Sequence, residues 1–128
     1  MQRRQGTKLW PGFLALPAGH VDEGENVYDA AIREAREELS IIITKKDIIN
    51  SFVVNRRNKS LPPYFDVYFE ISSYKGQIKI NEPEKCSELK WVDINNLPND
   101  MIDFEIDAIS NSQENIIGTF DADNEKTL

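Results

Sequence analysis

Residues 19–41 read GHVDEGENVYDAAIREAREELSI, and the placement of charge in this stretch decides how the rest of the chain is understood. Arg33 is followed by Glu34, Glu37 and Glu38. On a helix, positions i, i+3 and i+4 share one face about one turn apart, so the three carboxylates crowd together. Like charges at that spacing repel, and a helix has no structural reason to gather them unless a cation compensates. A donor set made only of oxygen suits a hard ion, Mg2+ or Mn2+, far better than zinc.

Helix signals surround the acids. Ala30, Ala31, Ala35, Arg36, Glu37, Glu38 and Leu39 are good helix formers. Val27, Ala30, Ala31 and Leu39 can form an apolar stripe against a sheet. Asp22, Glu23 and Glu25 place negative charge at the helix start, where the backbone dipole favours it. Upstream, Leu14-Ala15-Leu16-Pro17-Ala18-Gly19 reads as a short strand running into a loop, with Gly19 and Gly24 free to take backbone angles other residues avoid.

With these residues in view, the stretch resembles the Nudix box, G-x5-E-x7-R-E-U-x-E-E-x-G-U, where U is a bulky aliphatic residue. Gly19, Glu25, Arg33, Glu34, Glu37, Glu38 and Ile41 fill its positions. Ala35 stands where a bulky aliphatic is usual, and Ser40 stands at the second glycine, which normally ends the helix in a left-handed conformation. Either Ser40 adopts that conformation at some cost or the helix ends differently. The likeness extends over roughly residues 3–110. Residues 12–19, GFLALPAG, are similar to the family's approach to the box, with Leu14 at a Trp position and Ala18 at the first of two glycines. Residues 82–91 are similar to an acidic loop leading into a late Trp strand, and Leu97-Pro98 to the turn before the last helix.

The resemblance is to the Nudix hydrolase family, in its MutT-like group, and it implies an α/β/α sandwich with a mixed β-sheet between helices. It also implies roles. Glu34, Glu37, Glu38 and the Gly19 carbonyl would hold Mg2+, with Mn2+ as an alternative, and Glu34 would hold metal or deprotonate the attacking water. Arg33 would pair with Glu37 or Glu25 and fix their rotamers. Glu84 or Glu82 would swing in from the loop before Trp91. Arg3, Arg4, Arg56 and Arg57 are candidates for phosphate contact, since a guanidinium matches phosphate oxygens. Solvated loops account equally for Glu82 and Glu84, and an ordinary surface loop is the simpler account of Arg56 and Arg57. Trp10, Trp91, Phe13 and Tyr64 are expected in or against the core. His20 occupies a variable position of the box, and Cys86 has no histidine near it in sequence to activate it.

Nudix proteins open on a strand of their own. This chain begins Met1-Gln2-Arg3-Arg4, so that strand is expected to be missing, and the uncovered sheet edge would invite a second copy to pair as a homodimer.

Composition fits a compact enzyme. With 128 residues, one domain is expected, residues 1–120, followed by a polar tail at 121–128. The lone Cys86 excludes an internal disulfide and suits a reducing cytoplasm. No run of about 18 apolar residues is present to span a membrane, and the basic start has no apolar core after it. A net charge of -7 argues against a nucleic-acid backbone as partner but not against a small nucleoside polyphosphate bridged by metal.

Patterning predicts further elements. Strands are expected at Ile41–Ile43, Ser51–Asn55, Tyr64–Ile71, Glu88–Val92 and Asn115–Phe120. Arg56 to Pro63 reads as a basic loop, and Ile102, Ile106 and Ile109 have helical spacing. Three functions fit the resemblance: a pyrophosphohydrolase cleaving a nucleoside diphosphate linked to another moiety, with a (d)NTP giving NMP and pyrophosphate foremost; a non-catalytic nucleotide-binding or regulatory domain; and an allylic diphosphate isomerase. The intact glutamates disfavour the second, and no suitable extra cysteine supports the third. The resemblance would require a proline about 15 residues past the box for an ADP-ribose enzyme, and none stands there. The base cannot be named from fold and box, because variable loops recognise it.

Overall fold

The computed structural model describes residues 1–59, 61–111 and 117–121. Two three-stranded sheets and two helices make a mixed α+β fold. Strands β1 (Gln2–Arg4), β2 (Leu14–Ala15) and β5 (Cys86–Leu89) form an antiparallel sheet in the order β2-β1-β5. Strands β3 (Ile48–Asn58), β4 (Leu61–Ile71) and β6 (Ile117–Asp121) form the second sheet, with β3 in the middle, antiparallel to β4 and parallel to β6. The expected mixed sheet is the second of these, and the first is antiparallel.

The first strand is present, contrary to the expectation of its absence. Gln2–Arg4 is short but central, pairing Gln2 with Ala15 on one side and with Leu89 on the other. It fills the centre of that sheet, which removes the argument built on a missing strand for pairing with a second copy. The register shift between Arg3 and Arg4 limits how far the ladder runs. The late strand is correspondingly displaced from Glu88–Val92 to Cys86–Leu89, because its length is set by three residues of β1. Trp91 then lies past the strand and is 82% exposed, not covered as expected.

The region read as a loop from Arg56 to Pro63 is a hairpin in its described residues, with Arg56 opposite Tyr64 and Asn58 opposite Leu61. Two features accommodate Pro62 and Pro63: β4 is flanked by only one strand among the described residues, and the register shift between Arg56 and Asn58 falls opposite them, so a missing N–H breaks no regular ladder bond. Strand β3 also begins earlier than expected, at Ile48: a register shift leaves Ile49 as the extra residue, and Asn50 pairs with Glu70. Ile41–Ile43 is extended but makes only an isolated bridge, Ile42 to Lys75, with Ile41 and Ile43 buried and Ile42 half exposed. The predicted strand at Asn115–Phe120 is β6 from Ile117 onward; Asn115 and the tail from Ala122 to Leu128 lie outside the described residues.

Helix α1 (Val27–Leu39) starts on a capping box: the Asn26 side chain accepts from the Asp29 N–H and Asp29 accepts from the Asn26 N–H. It ends at Ser40, which takes the left-handed conformation (φ 61°, ψ 24°) and donates its N–H to the Ala35 and Arg36 carbonyls. The question left by a serine at the family's glycine position is answered in favour of strain. Leu39, Ile41 and Ile43 form one core with Ile32, Ala35, Ile71, Ile78 and Leu89, so the small Ala35 still contributes to packing. Helix α2 (Asp103–Asn111) closes a second core of Val54, Ala108 and Phe120. Its inward face carries Glu105 and Ala108, not the isoleucines at 106 and 109.

Candidate active site

The loop between β2 and α1 and the outward face of α1 bring the box residues together. Arg33 is the hub. Its guanidinium donates to both Glu25 oxygens, from Nε at 2.8 Å and from Nη2 at 3.0 Å. Nη1 donates to Glu34 Oε1 at 2.7 Å and to Glu37 Oε2 at 3.1 Å, and Nη2 to the His20 carbonyl at 2.9 Å. Asp22 adds an ion pair at 3.4 Å. The sequence left Glu37 and Glu25 as alternative partners; the structure uses both. Hydrogen bonds first to Glu25 and then to Glu34 hold the guanidinium firmly charged, and Arg33 in turn keeps the Glu25 carboxyl below the usual carboxylate range.

Glu38 behaves differently. It turns away from Arg33 and accepts the Ala18 N–H at 3.1 Å. Burial pushes its carboxyl up to about 8, reinforced by the neighbouring charge of Glu34 and then of Glu82, while the Ala18 N–H and, after it, Lys85 act in the opposite direction. Of the two acids in the loop before β5, Glu82 is therefore the one whose field reaches the box, where it also pairs with Lys85 at 3.4 Å; Glu84 is exposed.

Gly24 and Gly19 serve separate purposes. Gly24 has φ 85°, a left-handed angle at the turn into the helix. At Gly19 the matter is space: a Cβ there would overlap the Glu34 carboxyl, which would have to move from its present place. The backbone of Gly19 is thus brought directly against a box glutamate.

The other predicted residues have protein partners of their own. Arg3 on β1 donates to Glu88 Oε1 at 2.8 Å, Asp100 Oδ2 at 2.9 Å and the Gly12 carbonyl at 2.9 Å. Arg4 donates to the Leu9 carbonyl at 3.1 Å. Arg56 pairs with Asp66 at 2.7 Å and lies over the rings of Phe104, at 4.1 Å, and Tyr64, at 4.9 Å. Tyr64 is half exposed and stacks on His20, centroids 6.4 Å apart and planes within 11°. The buried thiol of Cys86 donates to the Glu88 carbonyl at 3.3 Å. Glu105 went unnoticed in the sequence. It is 5% exposed and accepts the Leu16 N–H at 2.7 Å, and burial pushes it up to about 7. Its signal was a glutamate three residues after Ile102, on the face that the helix buries.

The family model described as NUDIX domain matches residues 1–111. The chain belongs to the Nudix family. Its relatives include the uncharacterized Nudix hydrolase YvcI of Bacillus subtilis, 31% identical over 69% of this chain and 56% of that protein. An ADP-ribose pyrophosphatase of Methanocaldococcus jannaschii is 31% identical over 73% of this chain and 54% of its own length. The chain thus spans about half the length of these two relatives. An RNA pyrophosphohydrolase of Pelagibacter ubique is 28% identical over 81% of this chain and 74% of its own. The fold matches a MutT Nudix hydrolase crystal structure from Burkholderia pseudomallei, TM-score 0.71 at 23% identity, over 85% of this chain and 83% of that one.

The donor chemistry of this Nudix box fits a hard divalent ion: carboxylate oxygens, a glycine backbone pressed against one of them, and a half-buried Glu38 whose ionisation its surroundings oppose. Among the described residues, no three His, Cys, Asp or Glu side chains already converge as a metal-holding group. Arg33 draws Glu34 and Glu37 toward itself, and Glu38 faces Ala18. Metal would have to compete with those bonds. No helix among the described residues is long and apolar enough to cross a membrane.

Proposed function

We propose that this chain is a Mg2+-dependent pyrophosphohydrolase that cleaves a nucleoside diphosphate linked to another moiety, with a nucleoside triphosphate giving NMP and pyrophosphate as the leading case. The observation that carries it is the arrangement of Arg33, which fixes Glu25, Glu34 and Glu37 while leaving Glu38 to the Gly19 loop. Glu34, Glu37, Glu38 and the Gly19 carbonyl would hold the ion, Mg2+ or Mn2+. When bound, it would neutralise phosphate charge and lower the pKa of water.

The chain's own groups do the rest. Arg33 holds the glutamate rotamers, so that little ordering is left for the moment of reaction. Glu34, against Gly19, is placed to orient water. Glu82 adds negative field beside Glu38 and strengthens the preference for a cation there. The stacked pair His20 and Tyr64 offers a flat surface beside the loop on which a nucleobase can lie. Relatives named for ADP-ribose and for RNA ends share one bond type, a phosphoric anhydride, and differ in what flanks it.

The test is product release from (d)NTPs, oxidised purine triphosphates, ADP-ribose, dinucleoside polyphosphates, nucleotide sugars and a 5'-triphosphorylated RNA, with and without Mg2+. Mg2+-dependent turnover of one class supports the proposal and names the substrate group. A folded chain that binds nucleotides and cleaves none of them would instead be a regulatory domain.

A further inference from the structure

Leu14, Leu16 and Ala18 are alternate residues, so in an extended chain their N–H groups point to the same side. Leu14 donates to the Asp100 carbonyl at 2.9 Å, as a strand does, and Ile102 returns a bond to the Leu14 carbonyl at 3.0 Å. Beyond Leu14, no backbone carbonyl among the described residues takes over this ladder. Leu16 donates at 2.7 Å to the Glu105 carboxylate from α2, and Ala18 donates at 3.1 Å to the Glu38 carboxylate from α1. Pro17 between them has no N–H to give. The segment that delivers Gly19 to Glu34 is therefore held by two carboxylates, one from each helix. Glu105 is the one buried charged residue among the described residues, and a carboxylate is kept in such a place only with a partner to satisfy it.

We propose that Glu105 is a positioning residue for the active site: it extends the β2 ladder by one bond and fixes where the Leu16–Gly19 loop, and with it the Gly19 carbonyl, stands over α1. This rests on the Gly19 carbonyl belonging to the metal shell proposed above. Glu105 needs no contact with substrate or ion to act. It tethers α2 to the loop, and the loop sets the distance between a backbone oxygen and Glu34.

The test compares Glu105→Gln, which keeps an oxygen acceptor, with Glu105→Met, which keeps volume without one, and with Glu105→Asp, whose shorter arm withdraws the acceptor. Mn2+ binding is measured directly on the full chain, alongside hydrogen exchange of the Leu16 and Ala18 amides. The expected result is that Met and Asp each weaken Mn2+ binding by about tenfold and speed Leu16 exchange, while Gln stays close to the wild type. Because Asp retains the charge and Gln the acceptor, the contrast holds even if the Met variant does not fold. Wild-type Mn2+ affinity in the Asp or Met variant overturns the inference, as does a Gln variant as weak as Asp. A wild-type chain that binds no Mn2+ overturns the metal shell itself, and this inference with it.

Discussion

Each glutamate of the box has distinct surroundings, and substitutions should separate them. Glu37 is exposed and held by Arg33; Glu38 is half-buried on a backbone amide. Glu37→Gln and Glu38→Gln remove charge without volume, so each should lower turnover by orders of magnitude and leave the folded circular-dichroism spectrum in place. Unchanged turnover in both would refute their metal role. Protonation gives a second handle. Glu38 rises to about 8 and Glu105 to about 7, both from 4.5, mainly through burial. Between the unfolded and folded values the native chain holds protons that the unfolded chain has released, so raising pH favours unfolding. In chelator, the melting temperature should fall as pH rises from about 4.5 to about 8 through these two groups. Glu38→Gln, which cannot ionise, should flatten that fall; an equally steep profile in the variant would disprove the assignment. The acids held low by partners, Glu25, Asp47 and Asp100, act in the opposite direction, at more acidic pH.

Among the elements, α1 carries a serine in a conformation that glycine adopts freely. Left-handed backbone at a non-glycine residue costs about 1 kcal/mol or more, while glycine loses more entropy on folding. The balance favours glycine where the angle is obligatory, so Ser40→Gly should stabilise the chain by about 0.5 kcal/mol in urea unfolding, with turnover unchanged. A destabilised variant would mean that the serine side chain has a task the backbone geometry does not show. The helix itself was legible, because formers, acidic start and apolar spacing all agree over 27–39. Strand ends were less so: β5 is set by pairing with β1, and β4 runs through two prolines where a free side and a register shift meet. Neither fact lies in the local sequence.

For the whole molecule, Arg3 links parts far apart in the chain. It joins β1 to Glu88 on β5 and to Asp100 ahead of α2, and its Nη1 also donates to the Gly12 carbonyl. The sequence offered it as a phosphate ligand; in the fold its Nε and Nη1 already donate to protein acceptors. Arg3→Gln should therefore lower the melting temperature while leaving KM within about twofold, since an ion-pair network matters more than an isolated surface pair. A large rise in KM at unchanged melting temperature would return Arg3 to the substrate site. The second link runs through α2, whose lead-in pairs with Leu14 at Met101 and whose Glu105 reaches Leu16. Leu14 and Met101 are the largest fully buried side chains, so the loop feeding the box starts from the least yielding point of the core.

Family and helix could be read from residues 19–41, because a helix fixes which side chains share a face, and the proposal of a cation there rests on the like charges that this face gathers. Three matters belonged to the tertiary structure alone. Three N-terminal residues, too few to signal a strand, become one by lying between two partners. Glu105, a charge on a helix expected to bury isoleucines, is inside and accepts a backbone amide from across the fold. The split of the glutamates, with Glu34 and Glu37 on Arg33 and Glu38 on Ala18, depends on where the β2–α1 loop comes to rest. Periodicity records which residues share a face of their own element; which group from a distant element meets that face is set only when the chain closes on itself.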